Sequence, residues 1–310
     1  MTRRSKLPRA LEGLPFALSS AVDLGVPRSR TRASDLSTPS RGVRHVRAGA
    51  DDFADVCRPY VSVTDTSFIS HASAARLHNM PLPYLLQNDP MVHLSRPPGR
   101  GAPRRRGIAG HRMAVPSRDI IVRQGVRVTS AARTWIDLAT DLSLRDLIVA
   151  GDFLVSCHQR SYGNCTEPVI GLETLGNFLS SQRNVPGLVS ARAYGRLRVG
   201  VDSPPETKVR IILEDGGLPR FTVDCPILMP DGDVAQWVDL ANEEFRVMIE
   251  YDGAHHLTPE QQFRDMQRDA RAVELGWTQI KINQLDLRHG PKWIEGKVRR
   301  VLERRGYGRP

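Results

Sequence analysis

Residues 234–256 read VAQWVDLANEEFRVMIEYDGAHH. Two strand-like runs, Val234–Ala241 after an Asp231–Gly232 turn and Phe245–Tyr251, lie within this stretch, and their closeness predicts neighbouring strands. Asp239 falls towards the end of the first, while Glu250, Tyr251 and Asp252 end the second, ahead of Gly253 and the pair His255–His256. Side chains two apart on a strand share a face, so Glu250 and Asp252 point the same way, and Asp239 joins them if the strands pair. Three carboxylates at adjoining strand ends repel unless a cation lies among them, and hard oxygen ligands of this kind suit Mg2+ or Mn2+. Such an ion polarises a phosphoryl oxygen and acidifies a bound water, the chemistry of phosphodiester hydrolysis. His255 or His256 would protonate the leaving oxygen or position the water, because imidazole titrates near neutral pH.

The surroundings of this stretch have a legible order. Ser203 is placed as a helix N-cap, Pro204 and Pro205 suit the first turn with Glu206 in it, and the helix stops at Gly216–Gly217. Glu206 would add a further carboxylate. A strand Phe221–Leu228 precedes the central pair; a long helix Pro259–Leu275 closed by Gly276, a strand Thr278–Asn283 and a helix Lys292–Arg304 follow it. The predicted order αβββαβα makes an α/β domain over 203–310, a mixed sheet flanked by helices.

The first two thirds differ in charge. Residues 1–200 carry 28 Lys and Arg against 15 Asp and Glu, or +13, whereas residues 201–310 carry 16 against 19, or −3. Within residues 1–58, Ala17–Leu24 and Arg30–Leu36 are expected as two short helices about Gly25, and Gly42–Arg47 as a β wing. A winged helix-turn-helix of that form would bring Arg28, Arg30, Arg32, Arg41, Arg44 and Arg47 to phosphates or base edges. A middle α+β domain, residues 59–157, is expected to hold a helix at Ser70–Leu77, strands at Val92–Ser95 and Gly125–Thr129, and helices at Ser130–Leu138 and Arg145–Val155. Its Arg96–Arg112 stretch reads as a loop whose Arg96, Arg100, Arg104, Arg105, Arg106 and Arg112 have no carboxylate among them, a second phosphate-contact candidate. His71, His78, His93 and His111 are too scattered along the chain to be expected as ligands. Residues 158–202 read as a helical connector with a helix at Leu172–Gln182.

Composition narrows the class. A chain of 310 residues with 40% apolar and 25% charged residues reads as an ordinary globular protein of several domains. It contains no apolar run long enough to span a bilayer, and the basic N-terminus is not followed by the apolar segment of a secretion signal. Cys57, Cys157, Cys165 and Cys225 lack paired spacing and are expected as free thiols of a reducing compartment, acting as small core hydrophobes. A cytoplasmic location follows as the expectation.

The motifs Ser203–Pro204–Pro205–Glu206, Val238–Asp239–Leu240, Ile249–Glu250–Tyr251–Asp252–Gly253, His255–His256, Arg268–Asp269–Ala270–Arg271 and Gly276–Trp277 resemble the Vsr-like endonuclease domains of the domain-of-unknown-function 559 type, a branch of the PD-(D/E)xK superfamily. The resemblance implies a restriction-endonuclease-like fold, Mg2+ dependence and DNA as substrate, with Asp239 the core metal ligand, Glu206 the helix carboxylate, Glu250 and Asp252 the second half of the motif, and His256 the active-site histidine. Asp252 stands where the superfamily carries a lysine; in the Vsr branch a histidine takes over there, and Lys281 on the next strand is the other candidate. Residues 15–155 resemble the AbiEi-type antitoxin and transcriptional-regulator architecture of actinobacteria, on Gly25–Val26–Pro27–Arg28–Ser29, Gly42–Val43–Arg44, Ser70–Leu77, Pro81–Leu82–Pro83 and Val128–Ala139. The expectation is therefore a DNA-binding protein with a metal-dependent endonuclease domain, and the alternative a DNA-binding regulator whose nuclease fold is inactive. DNA is the expected partner, a homodimer is an open option, and a membrane is not expected.

Overall fold

The computed structural model describes residues 5–46, 52–157, 167–182, 187–253 and 259–308. His255, His256, Arg47 and Cys165 lie outside them. The chain is mixed α/β and divides into two compact units, Met1–Asp146 with Asn177–Ser190, and Leu147–Gly176 with Ala191–Pro310. Among the described residues, no helix is long and apolar enough to cross a membrane.

In the first unit, β1 (Phe16–Ala17), α1 (Leu18–Asp23), β2 (Leu36–Ser37) and β3 (Val43–Val46) form a small head whose sheet runs β1-β3-β2. Leu11, Phe16, Ala21, Val26 and Leu36 make its apolar core. The helix expected over Arg30–Leu36 is a single 3-10 turn, Arg30–Arg32, after which Ala33 is already extended. The Arg30 guanidinium folds back to bond both oxygens of Asp35 and the carbonyl of Ser5, which holds the segment as a turn.

The rest of this unit comprises α2 (Phe53–Ser62), β4 (Phe68–Ile69), α3 (His71–Leu77), α4 (Tyr84–Gln87), β5 (Val92–Arg96), β6 (Ile108–Arg112), β7 (Ile120–Arg123), β8 (Val126–Thr129) and α5 (Ala131–Asp137). A five-stranded mixed sheet, β6-β5-β4-β8-β7, carries α2 and α3 on a core that includes Cys57, Ile69, Leu77, Leu94 and Val128. The end of the expected arginine loop is strand, since β6 pairs in parallel with β5 at the sheet edge. Gly110 is required there: a Cβ would lie 1.9 Å from the Pro103 carbonyl oxygen, so the loop packs directly on the edge strand. The scattered histidines are also corrected, because α3, β5 and β6 bring His71, His93 and His111 together.

The contact boundary falls inside α6 (Leu144–Val155), α7 (Leu172–Ser181) and α8 (Gly187–Tyr194), so each contributes residues to both units. The second unit continues with α9 (Pro204–Asp215), β9 (Thr222–Leu228), β10 (Val234–Asn242), β11 (Val247–Asp252), α10 (Pro259–Glu274), β12 (Thr278–Asn283), α11 (Gln284–His289) and α12 (Pro291–Arg304). Its sheet order is β12-β11-β10-β9, with β9, β10 and β11 antiparallel and β11–β12 parallel across α10. Side chains of α9 and α12 cover one face with Val209, Leu213, Leu240, Ile249, Ile282 and Leu302, and Ala272 of α10 joins Cys225, Val238, Met248 and Trp277 in a second cluster. Phe245, expected as the start of β11, lies in a turn instead, because its amide donates to Asn242 and Arg246 takes φ 49°. Asp152 of α6 is buried in this unit against α9: it pairs with Arg210 at 2.7 Å and accepts from the Thr207 hydroxyl and the Arg198 amide.

Candidate functional site

The carboxylates predicted from β10 and β11 lie where those two strands part. The described β10–β11 ladder runs from Asn242↔Val247 to Leu240↔Ile249. Two residues beyond Ile249, the Tyr251 amide donates to the side-chain Oδ2 of Asp239 at 2.7 Å. A hydrogen bond from a main-chain N–H fixes the Asp239 carboxylate.

Glu206 approaches from the first turn of α9. Ser203 occupies the N-cap, yet its hydroxyl donates to Glu206 Oε1 at 2.7 Å and caps no helical amide; the Asp202 amide donates to Oε2 at 3.0 Å. The carboxyl is buried, and its pKa is pushed up to about 7, first by burial and then by the negative charge of Asp239. Glu250, half-buried, is raised as well: burial leads, Arg268 opposes it, and Asp239 adds to it. Its oxygens accept from Arg268 at 3.3 Å and Gln279 at 2.8 Å. Asp239 thus sits within electrostatic reach of carboxylates from α9 and β11, an accumulation of negative charge that a divalent cation would relieve.

Asp252 takes a different place. It is exposed and acts on Lys281 and Tyr251, while Asp239 acts on Glu206 and Glu250. Lys281 stands in register with Glu250 across the parallel β11–β12 pair. Burial lowers the proton affinity of its ammonium, but Asp269, bonded at 2.5 Å, together with Glu250 and Asp252, outweighs this and leaves it raised. A lysine on the neighbouring strand therefore faces the motif carboxylate, with Asp269 of α10 holding it. The sequence offers Lys281 as a candidate on the next strand; parallel register sets Glu250 as its partner. His256 falls outside the described residues.

Glu206 gives a pH signature. A carboxyl whose folded pKa lies above its unfolded value of about 4.5 contributes stability fully present below that value and lost as pH rises towards about 7. Metal-free protein should lose thermal stability across this window relative to Glu206→Gln, in melts at constant ionic strength with a chelator. Parallel stability curves for the two proteins would contradict the raised value.

The arginines proposed for nucleic acid separate into two groups. Arg30 is buried and tied to Asp35, and Arg44 bonds the carbonyls of Thr31 and Val43, so both hold the head together. Arg105 bonds the carbonyls of Arg41 and Val63. Arg28, Arg32, Arg104 and Arg106 are exposed. Arg41, Arg96, Arg104, Arg105 and Arg106 line one groove of about 520 Å³ in the first unit.

Two relatives were found in Mycobacterium tuberculosis, the uncharacterized proteins MT2308 of strain CDC 1551 / Oshkosh and Rv2248 of strain ATCC 25618 / H37Rv. Each is 32% identical to this chain over 130 residues, which cover 41% of the chain and 48% of the relative. The match thus spans about half the length of these relatives. No family model and no solved structure matches the chain.

Proposed function

We propose that the chain binds DNA through the exposed arginines of its first unit and hydrolyses phosphodiester bonds at a metal-dependent site in the second. The observation that carries the reading is Asp239, fixed by the Tyr251 amide where β10 and β11 part, with Glu206 and Glu250 close enough for its charge to raise both. The helix–strand order and the mixed four-stranded sheet agree with a restriction-endonuclease-like core of the Vsr-like kind. Asp239, Glu206 and Glu250 are the oxygen donors suited to a Mg2+ or Mn2+ ion, which would supply Lewis-acid polarisation of a phosphoryl oxygen and an acidified water. Arg268 and Gln279 orient Glu250, and Lys281 places a positive charge beside it. Supercoiled and branched DNA incubated with Mg2+, Mn2+ or EDTA tests the reading; nicking that EDTA suppresses supports it.

One observation favours a second reading, an AbiEi-like regulator or antitoxin whose nuclease fold only binds: Asp252 occupies the usual lysine position and is exposed, and the Lys281 ammonium is engaged by Asp269. Binding without nicking in either metal is its outcome.

DNA affinity gives a prediction of its own. Each neutralised phosphate contributes about −0.9 to the slope of log affinity against log salt. Arg28, Arg32, Arg104 and Arg106 changed together to Gln should therefore flatten the slope by about 3–4 if each meets one phosphate. An unchanged slope in fluorescence-anisotropy titrations would remove these arginines from the interface.

A further inference from the structure

The structure assigns a second, unrelated site: we propose that His71, His93 and His111 bind a borderline divalent transition-metal ion, zinc foremost, with an exchangeable fourth position. Their ligand atoms lie within 4.8 Å of one another. His93 Nδ1 and His111 Nε2 are 3.1 Å apart, close to the edge of about 3.3 Å that two imidazole nitrogens make on a tetrahedral zinc with bonds of about 2.0–2.1 Å.

Neighbouring hydrogen bonds orient the rings for this task. Asp89 Oδ2 lies 3.2 Å from His93 Nε2, so that nitrogen carries the proton and Nδ1 presents its lone pair, the carboxylate–histidine arrangement that supports metal ligands. His71 Nδ1 lies 2.9 Å from the Ser70 hydroxyl, Ser70 lies 2.6 Å from Ser95, and Ser95 donates to the Met113 sulfur. Read in one direction, this chain puts a proton on His71 Nδ1 and leaves Nε2 as the donor atom. His71 also begins α3 at φ 50°, in the left-handed region that non-glycine residues visit uncommonly.

Three imidazole ligands select Zn2+, Co2+, Ni2+ or Cu2+ over Mg2+. Binding requires the His71 and His111 rings, now stacked with centroids 4.0 Å apart, to fan out until both nitrogens aim at one point. His93 and His111 stand on the two parallel strands joined by the arginine-rich loop, so the ion would fasten edge strand β6 to β5 on either side of that loop.

The test uses chelator-stripped full-length protein and Co2+ as a visible probe. One equivalent of Co2+ should give d–d absorption that Zn2+ displaces, and His93→Ala and His111→Gln should lose it. Asp89→Asn should weaken binding by about 10–100-fold, and His289→Ala, an exposed histidine of the second unit, should leave it unchanged. Zn2+ at 100 times Kd should raise Tm by about 5–10 °C in wild type and not in His111→Gln. His111 is half-buried, so His111→Gln decides the matter if His93→Ala fails to fold. A titration without visible absorption, or one unchanged in His111→Gln, overturns the proposal.

Discussion

Asp239→Asn is expected to lower metal-dependent DNA cleavage by about 10²–10³-fold or more while leaving DNA affinity within about twofold. Loss of a ligand that fixes the polarising ion removes several kcal/mol of transition-state stabilisation, and each 1.36 kcal/mol is tenfold in rate. Asparagine retains an oxygen to accept the Tyr251 amide, so the junction of β10 and β11 should persist. The arginines expected to contact phosphate belong to the first unit and are untouched. Supercoil nicking, read beside anisotropy titrations, separates the two quantities. Equal cleavage by both proteins would take Asp239 out of the chemistry, and loss of affinity alongside rate would mean that it supports the fold instead.

The second large effect is structural. Asp152→Ala should destabilise the second unit by about 3–5 kcal/mol, the usual cost of removing one partner from a buried ion pair. Arg210 is 2% exposed and would keep a buried charge with only Glu214 opposite it. Thr207 and the Arg198 amide would lose their acceptor as well. Trp237, Trp277 and Trp293 all belong to this unit, so urea unfolding followed by tryptophan fluorescence reports on it. Replacing both charges, as Asp152→Leu with Arg210→Met, should recover most of the loss, because exchanging the whole pair for apolar groups is often close to neutral. A midpoint unchanged in Asp152→Ala would show that α6 contributes little to this unit.

Much of the second unit could be read from residue order alone. The cap and proline pair opening α9, the alternation along β10 and the Gly276 stop after α10 are local signals, and local signals suffice for element positions. The strand that carries Asp239 was legible for the same reason, but β10 runs on to Asn242 and leaves Asp239 inside the strand rather than at its end. Its bond to the Tyr251 amide was not legible, because that depends on where two strands separate. Lys281 opposite Glu250 depends on parallel pairing across a crossover, and periodicity does not encode register. The histidine cluster was hidden more deeply. His93 and His111 become neighbours only because β6, whose Ile-Ala-Gly-His-Arg sequence carries little strand preference, adds to the sheet edge beside β5. A usable hint was there: one histidine on each side of a single long loop. In the head, the expected second helix failed because the Arg30–Asp35 pair closes a turn over the same residues.

The contact boundary that falls inside α6, α7 and α8 has a consequence for how this protein can be divided by genes or proteases. A fragment beginning at Ser203 would carry Arg210 without Asp152 and would leave that buried charge without its ion-pair partner. A single cut anywhere in the chain therefore cannot release either unit whole. The second unit therefore cannot be passed between genes as residues 191–310 alone; it has to travel with residues 147–176, or be reconstituted from two pieces supplied in trans.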